Sequence, residues 1–178
     1  QIAPGLTITS YPTREDAAQL FRVGDRTVLN QNDCRLVPKE VAAIREACPH
    51  IDLWLFQFSL AGYYANADDA EGLARARQSH LQLISDYYEA FHPGIFVPYA
   101  SFVRFCKEGN AYMNDWVVDL DTVVDALPGV PIQVLAPGDP VLWCDWSERN
   151  PLNLGRWREI FARERKIEPH QRVDEADI

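Results

Sequence analysis

Apolar and polar positions alternate near the start of the chain and then fuse into longer apolar runs, the change expected between exposed and covered strands. After Pro4-Gly5, Leu6 to Ser10 alternates apolar and hydroxyl side chains and predicts an edge or half-exposed strand. Leu20, Phe21 and Val23 lead into Gly24-Asp25, and Thr27, Val28 and Leu29 lead out. Two β-prone runs around a two-residue turn signal predict a hairpin. Its second arm stays apolar until Asn30, then delivers Asn30, Asn32, Asp33 and Cys34 where the strand should end. Gln19 to Leu36 is thus the stretch around which the chain is organised. A strand holds the backbone rigid while the loop beyond it exposes side chains, so polar groups at such a tip are candidates for chemistry.

The helical period takes over at Pro38. Val41, Ile44 and Ala47 share one face of a helix that runs to Cys48 and stops at Pro49. Ile51 to Leu60 is nearly continuous apolar sequence and predicts a central strand covered on both faces. A long helix capped by Asp68 or Asp69 follows, with Leu73, Ala76, His80, Leu83, Ile84, Tyr87 and Phe91 recurring at three and four. His92-Pro93-Gly94 breaks it, and Ile95 to Pro98 predicts a short buried strand ending at Tyr99. Next come a helix from about Asp121 to Leu127, a strand over Ile132–Ala136, and a final helix from Asn150-Pro151 containing Trp157, Ile160 and Phe161. The acidic end, Val173 to Ile178, is expected to fray. Strands and helices in this order imply an α/β fold, a layered mixed sheet with flanking helices, in a single domain spanning 1–178.

Composition removes several function classes. At 47% hydrophobic and 24% charged residues the chain is globular rather than disordered. A net charge of -9 argues against non-specific binding to nucleic acid or an anionic membrane, both of which need a basic face. Cys34, Cys48, Cys106 and Cys144 are far apart with no Cys-x-x-Cys pair, which fits reduced thiols in a cytoplasmic protein better than a zinc ribbon. The opening Gln-Ile-Ala-Pro-Gly carries no initiator Met and no signal-peptide pattern, suggesting a processed chain or part of a longer one.

Three strand ends carry polar clusters: Asn30 to Cys34, Pro98 to Ser101, and Gly138-Asp139. Parallel neighbours would bring them to one sheet edge, the usual place for an α/β site. Asn, Asp, Pro and Gly also serve simply as turn formers, and Asp33 has the alternative of an Asx turn or a helix cap ahead of Pro38. His80, on the apolar face of its helix, reads as a packed, hydrogen-bonded histidine, and Cys34 as a buried inert thiol. Tyr63-Tyr64, Trp143 and Trp146 are candidate pocket aromatics in a chain whose 20 aromatics mostly serve packing.

Thr-Val-Leu-Asn-Gln-Asn-Asp-Cys-Arg-Leu, with Ile-Asp-Leu-Trp-Leu-Phe-Gln-Phe-Ser, His-Pro-Gly-Ile-Phe-Val-Pro-Tyr-Ala-Ser-Phe and Ala-Pro-Gly-Asp, resembles the second half of a metallo-β-lactamase-fold protein. The similarity runs from about Leu6 to Asp139 and is nearest to the branch of ascorbate-phosphate lactonases and CMP-N-acetylneuraminate hydroxylases. The resemblance implies half or more of an αββα sandwich, with Asp33 as the carboxylate that ligates and often bridges metal ions, and with Tyr99, Ser101 and Asp139 shaping a substrate pocket. A carboxylate can give one oxygen to each of two cations, whose bound water ionises near neutral pH.

Two departures stand out. The family's His-x-His-x-Asp-His loop is absent, and His50, His80, His92 and His170 are isolated. The strand end where many members place a last histidine reads Pro98-Tyr99-Ala100. A catalytic zinc or iron needs about three protein ligands, so this chain does not encode a complete site. A divalent metal (zinc, iron or manganese) is therefore expected only if a partner segment supplies histidines. The resemblance implies part of a metal-dependent hydrolase or oxygenase-like enzyme for a small polar substrate, sugar-derived or phosphorylated. The alternative is a binding or scaffold subunit that has lost its ligands. Half a sandwich predicts an uncovered sheet face, to be met by a missing N-terminal segment, a second chain or another copy.

Overall fold

The computed structural model describes residues 5–144, 146–163 and 169. The acidic end predicted to fray and His170 lie outside the described residues.

Five strands form one mixed sheet in sequence order: β1 (Leu6–Pro12), β2 (Ala17–Val23), β3 (Arg26–Asn32), β4 (Leu53–Gln57) and β5 (Ile95–Tyr99). The predicted hairpin is β2–β3, and its Gly24 takes the positive φ of 61° that the tight turn requires. β1 and β2 are antiparallel, while β3, β4 and β5 run parallel. Parallel neighbours require crossovers. They are α1 (Pro38–Ala47) between β3 and β4, and α2 (Ala70–Phe91) between β4 and β5. α3 (Leu120–Ala126) and α4 (Asn150–Ala162) follow the sheet.

Alternation along each strand splits the sheet into two unlike faces. Leu20, Leu29, Trp54, Phe56 and Phe96 meet Ile44 of α1, Ile84, Tyr87 and Phe91 of α2, Val123 of α3 and Trp157 of α4 in one buried cluster. All four α-helices of the described residues therefore contribute to the same side. On the opposite face Leu53, Ile95 and Val97 are covered by Leu135, Val141 and Trp146, which belong to irregular chain rather than a helix. That cover stops short of the β1–β2 end, where Ile8 is 39% and Val23 53% exposed.

Two sequence expectations change. The central strand is five residues, Leu53–Gln57, although Phe58, Ser59 and Leu60 beyond it remain buried. The strand expected over Ile132–Ala136 is reduced to an isolated bridge between Ile132 and Phe96. Side chains from the start of α4 occupy its backbone instead. Asn150 Nδ2 donates to the Ile132 carbonyl (2.7 Å) and its Oδ1 accepts from Val134 N–H (2.9 Å), while Asn153 Nδ2 donates to the Val134 carbonyl (2.8 Å). A segment so saturated has no need of a neighbouring strand.

Candidate functional site

The exit of β3 is shaped by one irregularity. Its register against β4 shifts between Asn30 and Asn32, Asn30 Oδ1 accepts from Asn32 N–H (3.2 Å), and Asn32 sits in the left-handed region at φ 51°. Between them Gln31 is fully buried: its Nε2 donates to the Cys34 carbonyl (2.9 Å) and its Oε1 accepts from Trp54 Nε1 (3.0 Å). The reversal sends Cys34 inward and leaves Asp33 exposed. Asp33 does not cap α1, whose N-cap is Val37, with Glu40 accepting from the Val37 N–H (2.8 Å). It does accept from Asn32 Nδ2 (2.8 Å), so one oxygen is tied to its own loop while the side chain lines a groove.

That groove, about 480 Å³, is formed with Thr13, Arg14, Glu15, Asp16, Cys34 and Arg35. Asp16, which the motif reading missed, was accessible from the hairpin register. Gln19 pairs with Asn30 and Leu20 with Leu29, so continuing the ladder outward sets Asp16 beside Asp33. Thr13 fixes the turn before it: Thr13 N–H donates to the Asp16 carbonyl (2.7 Å) and Asp16 N–H to Thr13 Oγ1 (3.1 Å). The Ala17 N–H, first, and the contact with Asp33 hold the Asp16 carboxyl below the usual carboxylate range. Burial, aided by the charges of Asp16 and Asp33, pushes the Cys34 thiol up to about 12. Cys34 is thus a protonated, inert thiol, as expected.

The donor set does not fit a metal ion by itself. No group of three or more His, Cys, Asp or Glu is arranged to hold one among the described residues. Three carboxylates, Glu15, Asp16 and Asp33, share the groove with Arg14 and Arg35, whose charges oppose a cation.

The other site candidates scatter. Because β3, β4 and β5 are parallel, Asp33, Ser59, Tyr99 and Ser101 follow strands on one sheet edge. Tyr99 is 44% exposed. Ser101 lines a separate cavity, with Ala100 and Ser101 consecutively left-handed at φ 57° and 62°. Such residues cost about 1–2 kcal/mol each and persist only where surroundings enforce them. Here Phe102 is held between Phe58 (4.9 Å) and Trp157 (4.0 Å). Asp139 sits in a tight clamp, accepting from Ala136 N–H (3.0 Å) and pairing with Arg156 (3.2 Å). Of the aromatics, Tyr63 is exposed and bonded to Asn66, Tyr64 packs against the cluster of Leu73 and Met113, and Trp143 stacks under Arg26. His80 is buried as expected, but neither ring nitrogen makes a well-formed hydrogen bond.

No family model and no curated protein matches the chain. Two solved structures are similar to it. One is a variant of the CmlA β-hydroxylase, at 18% identity and a TM-score of 0.46, covering 75% of this chain and 30% of that one. The other, from Thermotoga maritima, is described as a candidate Zn-dependent hydrolase of the metallo-β-lactamase superfamily, at 13% identity and a TM-score of 0.43, covering 74% of this chain and 66% of that one. The chain thus spans less than two thirds of either.

Proposed function

We propose that this chain is the carboxylate-bearing part of a metallo-β-lactamase-fold, metal-dependent hydrolase or oxygenase-like enzyme acting on a small polar substrate, sugar-derived or phosphorylated. The observation that carries this reading is the bulged exit of β3, which commits Gln31 and Asn32 to internal bonds and presents Asp33 in a groove beside Asp16. Asp33 supplies one metal ligand, and the remaining donors come from outside this donor set: an N-terminal segment, a second chain or another copy. That partner covers the apolar β1–β2 face around Ile8 and Val23. Tyr99, Ser101 and Asp139 border the substrate, and the four free thiols suit a cytoplasmic setting.

A scaffold role is the competing reading. Tyr99 at the strand end and the two arginines flanking Asp33 favour it. Competition titrations with zinc and a chromophoric chelator separate the two. The enzyme reading expects weak binding by this chain, lost in Asp33→Asn and tightened by at least tenfold when a histidine-bearing partner joins. Binding indifferent to Asp33→Asn, with or without the partner, assigns the scaffold role instead.

A further inference from the structure

We propose that the cavity between the exit of β5, α2, α3 and the end of α4 binds a small organic anion, gripped by Arg77 and Arg104 with the Ser101 hydroxyl as a further donor. It shares Ser101 with the substrate side of the proposed enzyme but no residue with the Asp33 groove, so it stands whether or not that groove takes a metal.

Charge pairing makes the first argument. The chain has 26 acidic against 17 basic side chains, yet among the described residues carboxylate partners reach only some of its arginines. Arg26, Arg156 and Arg158 each take one, from Asp52, Asp139 and Asp121. Arg77 and Arg104 have none within ion-pair distance among the described residues. Each is instead anchored by one neutral bond: Arg77 Nη2 to Thr122 Oγ1 (3.2 Å) and Arg104 Nη1 to the Phe161 carbonyl (2.8 Å). A guanidinium carries five N–H donors, so anchored, unpaired arginines in one lining present a fork to an anion. Two carboxylates, Asp115 and Asp119, also line the cavity, and Asp119 is already engaged by the Thr122 N–H (2.7 Å).

Ser101 provides an independent observation. Its Oγ is sealed from solvent and has no hydrogen-bond partner. A hydroxyl left unmatched, on a backbone held left-handed over two residues, is the kind of local misfit that a ligand resolves. The space, about 280 Å³, suits a small molecule, and Val103, Val117 and Phe161 offer an apolar wall to its carbon skeleton.

Amide NMR titrations with inorganic phosphate and with glycolate test the site. Saturable shifts at Ser101, Arg104 and Thr122 are expected with one or both probes. A response to phosphate alone identifies a phosphate monoester, and one to glycolate alone a carboxylate. Arg77→Gln and Arg104→Gln should each weaken binding by about tenfold or more, the effect of losing a charged hydrogen-bond donor. Ser101→Ala should lose less. Arg104→Lys, which keeps the charge but not the fork, should lie between and separates lost grip from lost fold. Arg156→Gln, on another surface, should bind as the parent does. No saturable shift with either probe, or binding as tight as the parent's in both Gln variants, overturns the proposal.

Discussion

Trp54→Ala is expected to lower the free energy of unfolding by about 3–5 kcal/mol, the range for removing a large aromatic from a closed core. Trp54 is fully buried on the central strand, with Phe96 at 4.5 Å, Phe56 at 5.3 Å and Phe91 and Tyr87 near 6 Å. Removing the indole opens a cavity where three elements meet and strands Gln31 Oε1 without its donor. For a chain of this size the thermal midpoint should fall by roughly 6–20 °C. Urea unfolding followed by circular dichroism provides the measurement. Trp54→Phe keeps most of the ring but not the donor, so it should cost less in stability while still loosening Gln31 and the loop carrying Asp33. A loss below about 1 kcal/mol in Trp54→Ala would mean that the core is not built around this side chain.

Acidification from pH 6.5 to 4 should remove roughly 3 kcal/mol of stability through His80 alone. Burial, with the nearby Arg35 charge, pulls its pKa down to about 4 from an ordinary 6.5, against a smaller opposing pull from the Gln57 backbone. The folded state therefore holds the ring neutral where the unfolded chain takes up a proton. Stability is complete above pH 6.5 and falls as pH drops through the interval to 4. The carboxylates held low by their contacts, Asp16, Asp52 and Asp139, contribute only further down, as pH falls below their ordinary 3.8. Urea midpoints across the interval should slope in the parent chain and flatten in His80→Leu. Equal slopes in both would assign the acid sensitivity to other groups.

Much of the architecture was written in local pattern. The Gly24-Asp25 signal between β-prone runs located the hairpin, and helical spacing from Leu73 to Phe91 located α2 with its Asp69 cap. The strand over Ile132–Ala136 failed because its apolar pattern is compatible with a ladder, while Asn150 and Asn153, distant in sequence, determine what its backbone bonds to. Side-chain capture of this kind leaves no periodic trace. The site behaved similarly. Asp33 at a strand tip was legible, since a polar burst after an apolar run marks the strand end. Its neighbour Asp16 was legible only through the hairpin register, a longer inference than any motif supplies. Asp139 looked like another strand-end carboxylate, but its Arg156 partner comes from α4, beyond the reach of local sequence.

The central claim is that the β3 exit offers Asp33, with Asp16, to a divalent cation. Manganese added to the isotope-labelled chain tests this directly through paramagnetic broadening of backbone amides. The account predicts early, selective loss of the signals of Thr13 to Asp16 and Asp33 to Arg35, abolished in Asp33→Asn, while those around Asp139 persist. Broadening that spares the β3 exit, or follows only the exposed acidic residues elsewhere, would contradict it.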